Sequence, residues 1–355
     1  MKIKNKTYSF IVLMLIPFSF LMQFFLVPHL PDKYFYDSLR ILSLTNGSAN
    51  LADFDSSYLF AGNFFIKVNF LNFTTFFQWS ILLTLISIPF IFLFLKKYKN
   101  VKIDQLFFIL VTITFFNIYI PRISKDFIQF AIWSLIYIVL KSKIKNSFKI
   151  IITVIVFIIE AKLFRTYYLA IGLLFVLVYL YLNSKKNHLK LGRMLVITFV
   201  SMFVVLLIVQ KYMPSIYNRV INLRADINFG REGSEDANTA INDLFNNNSP
   251  IIYCVNYFVN LFRILFPFEL ILKGVKYIPF IIYQVYFSIM LIKKLTMKKK
   301  KKDYLLISVL IAYILISNLF EPDFGSLIRH EVALLFIMID ILIGGYKNEK
   351  VLKIC

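Results

Sequence analysis

Long apolar runs alternate with short blocks of lysine along almost the whole of this 355-residue chain. Such runs can be hidden in only two places, the core of a large protein or the hydrocarbon of a bilayer. Composition decides between them. The chain is 59% apolar and 18% aromatic, with a mean hydropathy of +0.73, against about 45–50% apolar for an ordinary soluble domain. A soluble domain of this length has too little interior for that much apolar surface. The sequence therefore predicts an all-α, polytopic membrane protein. No linker or repeat divides it, so residues 1–355 read as one integral membrane domain.

Ten runs emerge: Tyr8–Val27, Phe76–Leu95, Leu106–Ile120, Phe127–Leu140, Ile150–Ile159, Tyr168–Leu182, Met194–Met213, Tyr277–Ile292, Tyr304–Leu319, and a last one that starts between Leu327 and Val332 and ends near Ile343. The net charge of +21 is concentrated in lysine blocks between runs. This is the positive-inside pattern, and it argues against nucleic acid as a partner. With ten spans every lysine block falls on one side, and both termini are cytoplasmic. No small-residue cleavage site closes the first run, which reads as an anchor. Residues 28–75 and 214–276 are then outer loops. Within the second, Ile251–Lys276 is apolar but interrupted by Arg263, Pro267, Glu269 and Lys273. It is expected to form one or two interfacial or re-entrant helices. To keep the lysines inside it crosses zero or two times, so ten spans is the reading and twelve the alternative. Cys254 and Cys355 lie far apart and outside any CxxC, which suggests unpaired thiols.

Arginine and lysine are distributed differently. Of 40 basic residues, 25 lie in the cytoplasmic blocks, yet only Arg193 of the nine arginines is among them. The other eight are Arg40, Arg122, Arg165, Arg219, Arg224, Arg231, Arg263 and Arg329. Topology asks for positive charge inside without specifying its type. Arginine kept on the side where positive charge is disfavoured calls for another reason. Its planar fork of donors grips phosphate or carboxylate in bidentate fashion, so an outer cleft lined by these residues is a candidate anion site. Pairing with outer carboxylates, or snorkelling to headgroups, is the plainer alternative.

Three outer turns concentrate charge at membrane depth, where ionisable residues are costly and tend to be functional. The first holds Arg122, Lys125 and Asp126, and the four-residue spacing suggests an Arg122–Asp126 pair. The second reads Glu160-Ala161-Lys162-Leu163-Phe164-Arg165-Thr166-Tyr167-Tyr168. The third runs from Glu321 to Glu331 and carries Asp323, Arg329 and His330, with Asp323 or Ser326 expected to cap the last helix. The long loop adds Arg219, Arg224 and Arg231, and the first outer loop adds Asp37. No Walker A, GxGxxG, HExxH or CxxC motif is present, so no cofactor and no metal site is implied.

The layout, the Arg122 turn, the EAKLFRTYY turn (Glu160 to Tyr168), the Arg-bearing loop and the PDFGSLIRHE segment (Pro322 to Glu331) together resemble bacterial Wzy-type O-antigen and capsule polymerases, including the EpsG-like group. The resemblance covers most of the chain in layout and about thirty residues in motif. It implies a helical bundle of the GT-C kind in a bacterial inner membrane, active on the periplasmic or extracellular face. The implied substrate is an undecaprenyl-diphosphate-linked oligosaccharide, polymerised into O-antigen, capsule or exopolysaccharide. A chain-length regulator protein is the implied partner beside the lipid bilayer. Arg122, Arg165 and Arg329 carry over as diphosphate or catalytic-cleft residues. Arg219, Arg224 and Arg231 carry over as substrate-loop residues, with Lys125, Lys162, Tyr168, Asp323 and Asp37 as further substrate contacts. Candidate bases are His330, placed first, then Glu160, Asp323 and Glu331, with Asp37 behind them. Competing readings are a polyprenyl-linked transferase that adds one sugar, in which a first-loop acid such as Asp37 is the base; a lipid-linked oligosaccharide flippase; and a membrane acyltransferase built on His330.

Overall fold

A computed structural model describes residues 3–99, 101–184, 191–229, 239–296 and 303–344. These are helical almost throughout, with one isolated antiparallel bridge between Ala240 and Asp323. Among the described residues three helical stretches are long and apolar enough to cross a bilayer: Asn5–His29, Phe76–Lys96 and Val275–Thr296. Shorter apolar helices span Ile103–Tyr119, Tyr168–Ser184, Pro250–Leu265 and Tyr304–Phe320. Their outward faces carry large apolar side chains such as Phe90, Leu93, Leu173 and Ile282, all more than half exposed. An exposed apolar band of this kind fits hydrocarbon as its solvent. The chain is thus an all-helical protein built to associate with a membrane.

The chain divides into two compact units, residues 1–173 with 329–355, and residues 174–328. In the first, α1 (Asn5–Leu21) packs on α4 (Phe76–Lys96). The segment between α1 and α4 contains a pair of helices, α2 (Tyr36–Thr45) and α3 (Ser56–Val68). Asp55 caps α3 by accepting from the backbone N–H of Ser57 and Tyr58, and Thr75 with Gln78 forms a capping box at the start of α4. Gly62 lets α3 lie close against α2, since a Cβ there would come within 3.1 Å of the Leu44 Cβ. The pair packs on α4 and on α6 (Lys125–Lys141) around Ile41, Phe65, Trp79, Leu83 and Ile123. Helices α5 (Ile103–Tyr119) and α7 (Asn146–Leu163) complete this side.

Two expectations change here. The run ending at Ile159 continues as helix to Leu163, which places Glu160 and Lys162 on the last turn of α7 instead of in a loop. The tenth run is two helices, α14 (Phe324–Val332) and α15 (Leu335–Ile343). At the break Ala333 and Leu334 donate to the carbonyls of His330 and Glu331, three residues back, a tightening that ends one α-helix before the next begins. At the lysine-rich end of the unit, Asp340 of α15 accepts from Tyr98 at 2.7 Å and pairs with Lys141 at 2.6 Å and Lys97 at 3.3 Å.

The second unit contains α9 (Leu191–Tyr212), α10 (Pro214–Phe229), α11 (Pro250–Leu265), α12 (Ile278–Thr296) and α13 (Tyr304–Phe320), with α8 (Tyr168–Ser184) leading into it. Helix α11 packs on α9 and α13. It buries both apolar and polar groups, among them Tyr257, Leu261, Asn256 and Asn260.

Candidate functional site

Within the first unit, helix ends remote from the lysine blocks bring one group of ionisable side chains together. Asp37 stands in the first turn of α2, where the helix dipole favours a carboxylate. Tyr58 comes from the start of α3. Ser124 caps α6 and sets Lys125 and Asp126 in its first turn. Arg165 and Tyr167 lie in the tight turn after α7, and Arg329 and His330 lie on α14.

Arg329 is the hub. Its guanidinium pairs with Asp37 at 3.1 Å and with Asp126 at 3.2 Å. Asp37 also accepts a short hydrogen bond from the Tyr58 hydroxyl. Arg165 meets His330, with its two terminal nitrogens 2.7 Å from Nε2 and 3.3 Å from Nδ1, and donates to the Tyr167 hydroxyl at 2.8 Å. A ring nitrogen that receives an arginine N–H must present its lone pair. His330 Nε2 also lies 3.8 Å from Asp126. Lys125 sits over the Tyr58 ring at 3.5 Å and reaches Ser57. Asp126 and His330 are nearly inaccessible, whereas the Arg329 side chain keeps 23% of its surface.

Burial opposes the charge on Asp37. Arg329, Lys125, the Tyr58 hydroxyl and Arg165 outweigh it and hold the carboxyl at about 2. Burial draws the Lys125 ammonium below its ordinary value, with Asp37 pulling the other way. The result is an ionised carboxylate held among fixed cations.

The other candidates fall elsewhere. Arg122 is not part of this group, and Asp126 pairs with Arg329 instead of with it. The Arg122 guanidinium, 1% exposed, bonds the Ile118 and Asn117 carbonyls at the end of α5 and packs against the Phe35 and Phe76 rings. Asn117 in turn holds Ser19 and Gln23. Spacing suggested a local ion pair, but the orphan carbonyls at a helix end compete for the same donor. Glu160 is buried beside Arg165, which acts on it electrostatically. Tyr168 is packed among Trp133, Phe157 and Tyr167, and Lys162 is exposed. Arg40 bonds the Asp53 carbonyl and stacks on Phe54 and Tyr58. Tyr58, Asp126 and Tyr167 were not among the expected site residues. No local pattern marks Tyr58, whose role depends on α3 folding back on α2.

Three more expected residues belong to the second unit. Asp323 caps α14 through the Ser326 N–H at 2.7 Å, as the turn suggested. Arg224 pairs with Asp243 at 3.2 Å and bonds the Asn318 carbonyl. Arg219 lies on α10. Arg231 lies outside the described residues. Around Arg224, Asn260 and Asn247 also donate to Asp243, and Asn256 holds Phe245 and Asn247. Arg263 takes Glu269 and the Asn242 carbonyl.

Fold and site thus define an all-helical, membrane-associating protein with a compact group of charged side chains at its helix ends. No protein-family model matches the chain, and neither does any curated protein or any solved structure.

Proposed function

We propose that this chain is a membrane glycosyltransferase of the polysaccharide-polymerase kind. It would join undecaprenyl-diphosphate-linked repeat units on the outer face of a bacterial cytoplasmic membrane that it crosses ten times. The observation that carries this reading is the Arg329 hub, a permanent cation bridging two carboxylates beside Arg165, His330 and Lys125. A lipid diphosphate leaving group gathers negative charge as its bond to the sugar breaks, and fixed guanidinium groups stabilise that charge. Arg329 and Arg165 take this role. Asp37 takes the role of base, ahead of His330, whose ring is held against Arg165 with Nε2 at 2.7 Å.

In this scheme the acceptor hydroxyl oxygen attacks the anomeric carbon of the donor. The carbon–oxygen bond to the diphosphate breaks, and undecaprenyl diphosphate leaves with the electron pair. The hydroxyl proton passes to Asp37. At about 2, Asp37 is a weak base while Arg329 holds it. Transfer of Arg329 to the incoming diphosphate raises its basicity at the moment of use.

The test is a polymer ladder in a strain lacking the chain and complemented with variants. Arg329→Ala and Arg165→Ala should each abolish long polysaccharide at normal membrane levels of protein, and a normal ladder from both would refute the proposal. A second reading, a transferase adding one sugar, is favoured by the entry of the first-loop acid Asp37 into the site. Its product would be a single added residue in place of a ladder.

A further inference from the structure

The two most exposed large apolar side chains among the described residues are Leu272, at 89%, and Val275, at 82%. They sit together at a tip between α11 and α12, with Phe268 and Ile271 also about half exposed. The tip is firmly built. Leu270 is buried against Ile264, Ile281 and Phe324. Tight turns close on one another through Leu270 to Pro267, Gly274 to Ile271 and Tyr277 to Gly274. The Ser288 hydroxyl of α12 donates to the Leu265 carbonyl at 2.6 Å. Gly274, at φ +131°, makes a corner that a side chain would strain. An apolar group held outward by so many bonds is the kind of exposed patch that marks an interaction surface.

We propose that this tip is an interfacial anchor: Phe268, Ile271, Leu272 and Val275 enter the outer edge of the hydrocarbon, and Lys273 and Lys276 bind anionic lipid phosphates. Two observations choose the bilayer over a protein partner. Val275 is itself the first residue of the apolar stretch Val275–Thr296, so the tip stands at one end of a membrane-length helix. Its 22 residues reach roughly 33 Å at about 1.5 Å each, close to the thickness of a bilayer core. The local charge also fits. Glu269, the one acid in the tip, is taken by Arg263 at 2.5 and 2.8 Å, which leaves Lys273 and Lys276 exposed. Exposed apolar residues flanked by lysines suit the headgroup boundary of an anionic membrane.

The proposal rests on α12 lying in the bilayer and not on the transferase reading. Its test uses full-length protein with Cys254 and Cys355 replaced by serine, reconstituted in phosphatidylethanolamine–phosphatidylglycerol vesicles. A nitrobenzoxadiazole label is placed through Leu272→Cys and, separately, Ile282→Cys. Lipids with a nitroxide high on the acyl chain should quench the label at 272 at least threefold more than aqueous iodide does. A nitroxide deep on the chain should quench the label at 282. Adding Lys273→Glu and Lys276→Glu should halve the shallow quenching at 272. A label at 272 open to iodide, or screened from both quenchers as by a protein partner, overturns the anchor while a quenched 282 keeps α12 in the membrane. Loss of quenching at 282 refutes the membrane placement itself. Quenching at 272 unchanged by the two glutamates overturns the role given to the lysines.

Discussion

Two arginines in the two units make the same first contact and differ in everything around it. Arg329 and Arg224 each pair with an aspartate at just over 3 Å. Around Arg224 the remaining partners are amides and a backbone carbonyl, which tie the 239–248 segment to α10, α11 and α13. That ion pair closes on itself and is spent on structure. Around Arg329 stand a second carboxylate, a lysine, a histidine and another arginine, supplied by α2, α6, α14 and the turn after α7. Bringing so many charged groups together carries a desolvation cost for each, and such clusters of perturbed groups concentrate at sites of ligand binding or chemistry. Arginine outside the lysine blocks is therefore no guide by itself; the company it keeps separates a staple from a candidate site.

Asp37 provides the sharpest way to break the comparison. Asp37→Asn should cut polymer synthesis about a thousandfold, the scale of a lost general base, with protein still present in the membrane. It should also change acid stability. The folded pKa of about 2 lies below the usual value near 3.8, so the stabilisation is whole above that usual value and vanishes as pH falls through about 2. The difference is worth about 2 kcal/mol. Urea unfolding should show Asp37→Asn less stable than wild type by that amount at pH 7, with the gap closing near pH 2. A constant gap would show that Asp37 is not held ionised by its neighbours.

Arg329→Lys comes next. Lysine keeps the charge but cannot span two carboxylates as a planar fork does. A hundredfold loss of activity is expected, or about 2.7 kcal/mol of transition-state stabilisation. Arg224→Lys should stay within about threefold, because its site only needs holding together. Equal losses at both positions would erase the distinction between them. Arg224→Met should instead lower stability by about 2 kcal/mol. That is less than the 3–5 kcal/mol of a fully buried broken pair, since Asp243 keeps 18% of its side-chain surface. Thermal unfolding of the purified protein checks it.

Much of the framework was legible in the sequence because apolar runs and lysine blocks are local signals. Phe76–Leu95 became α4 almost residue for residue, and Tyr168–Leu182 and Tyr304–Leu319 did the same for α8 and α13. The last run ends at Ile343 as expected, but its break was not legible, because hydropathy does not register a shift from four-residue to three-residue hydrogen bonds at Ala333 and Leu334. The site was legible only by residue type. Arg165, Arg329, His330, Lys125 and Asp37 were all named, but the pairings that join them were not. Spacing offered Asp126 to Arg122, whereas the structure gives it to Arg329, far away in the chain. Arg122 itself looked like a cleft residue because a buried guanidinium serving helix-end carbonyls has the same sequence signature as one awaiting a phosphate.

The smallest expected effect tests how Arg165 is aimed. Its guanidinium has the Tyr167 hydroxyl and the His330 ring among its directional partners. Tyr167→Phe removes the first and leaves the second, with no change in charge and little in volume. If both partners orient the guanidinium, one lost hydrogen bond of about 1 kcal/mol should lower activity roughly fivefold. His330→Gln restores a donor and acceptor but not the ring, and should cost more, because the 2.7 Å contact to Nε2 is the shorter of the two. Measured rates ranking the other way would put the Tyr167 hydroxyl, and not the imidazole, in charge of the arginine. The main part left to His330 would then be its approach to Asp126.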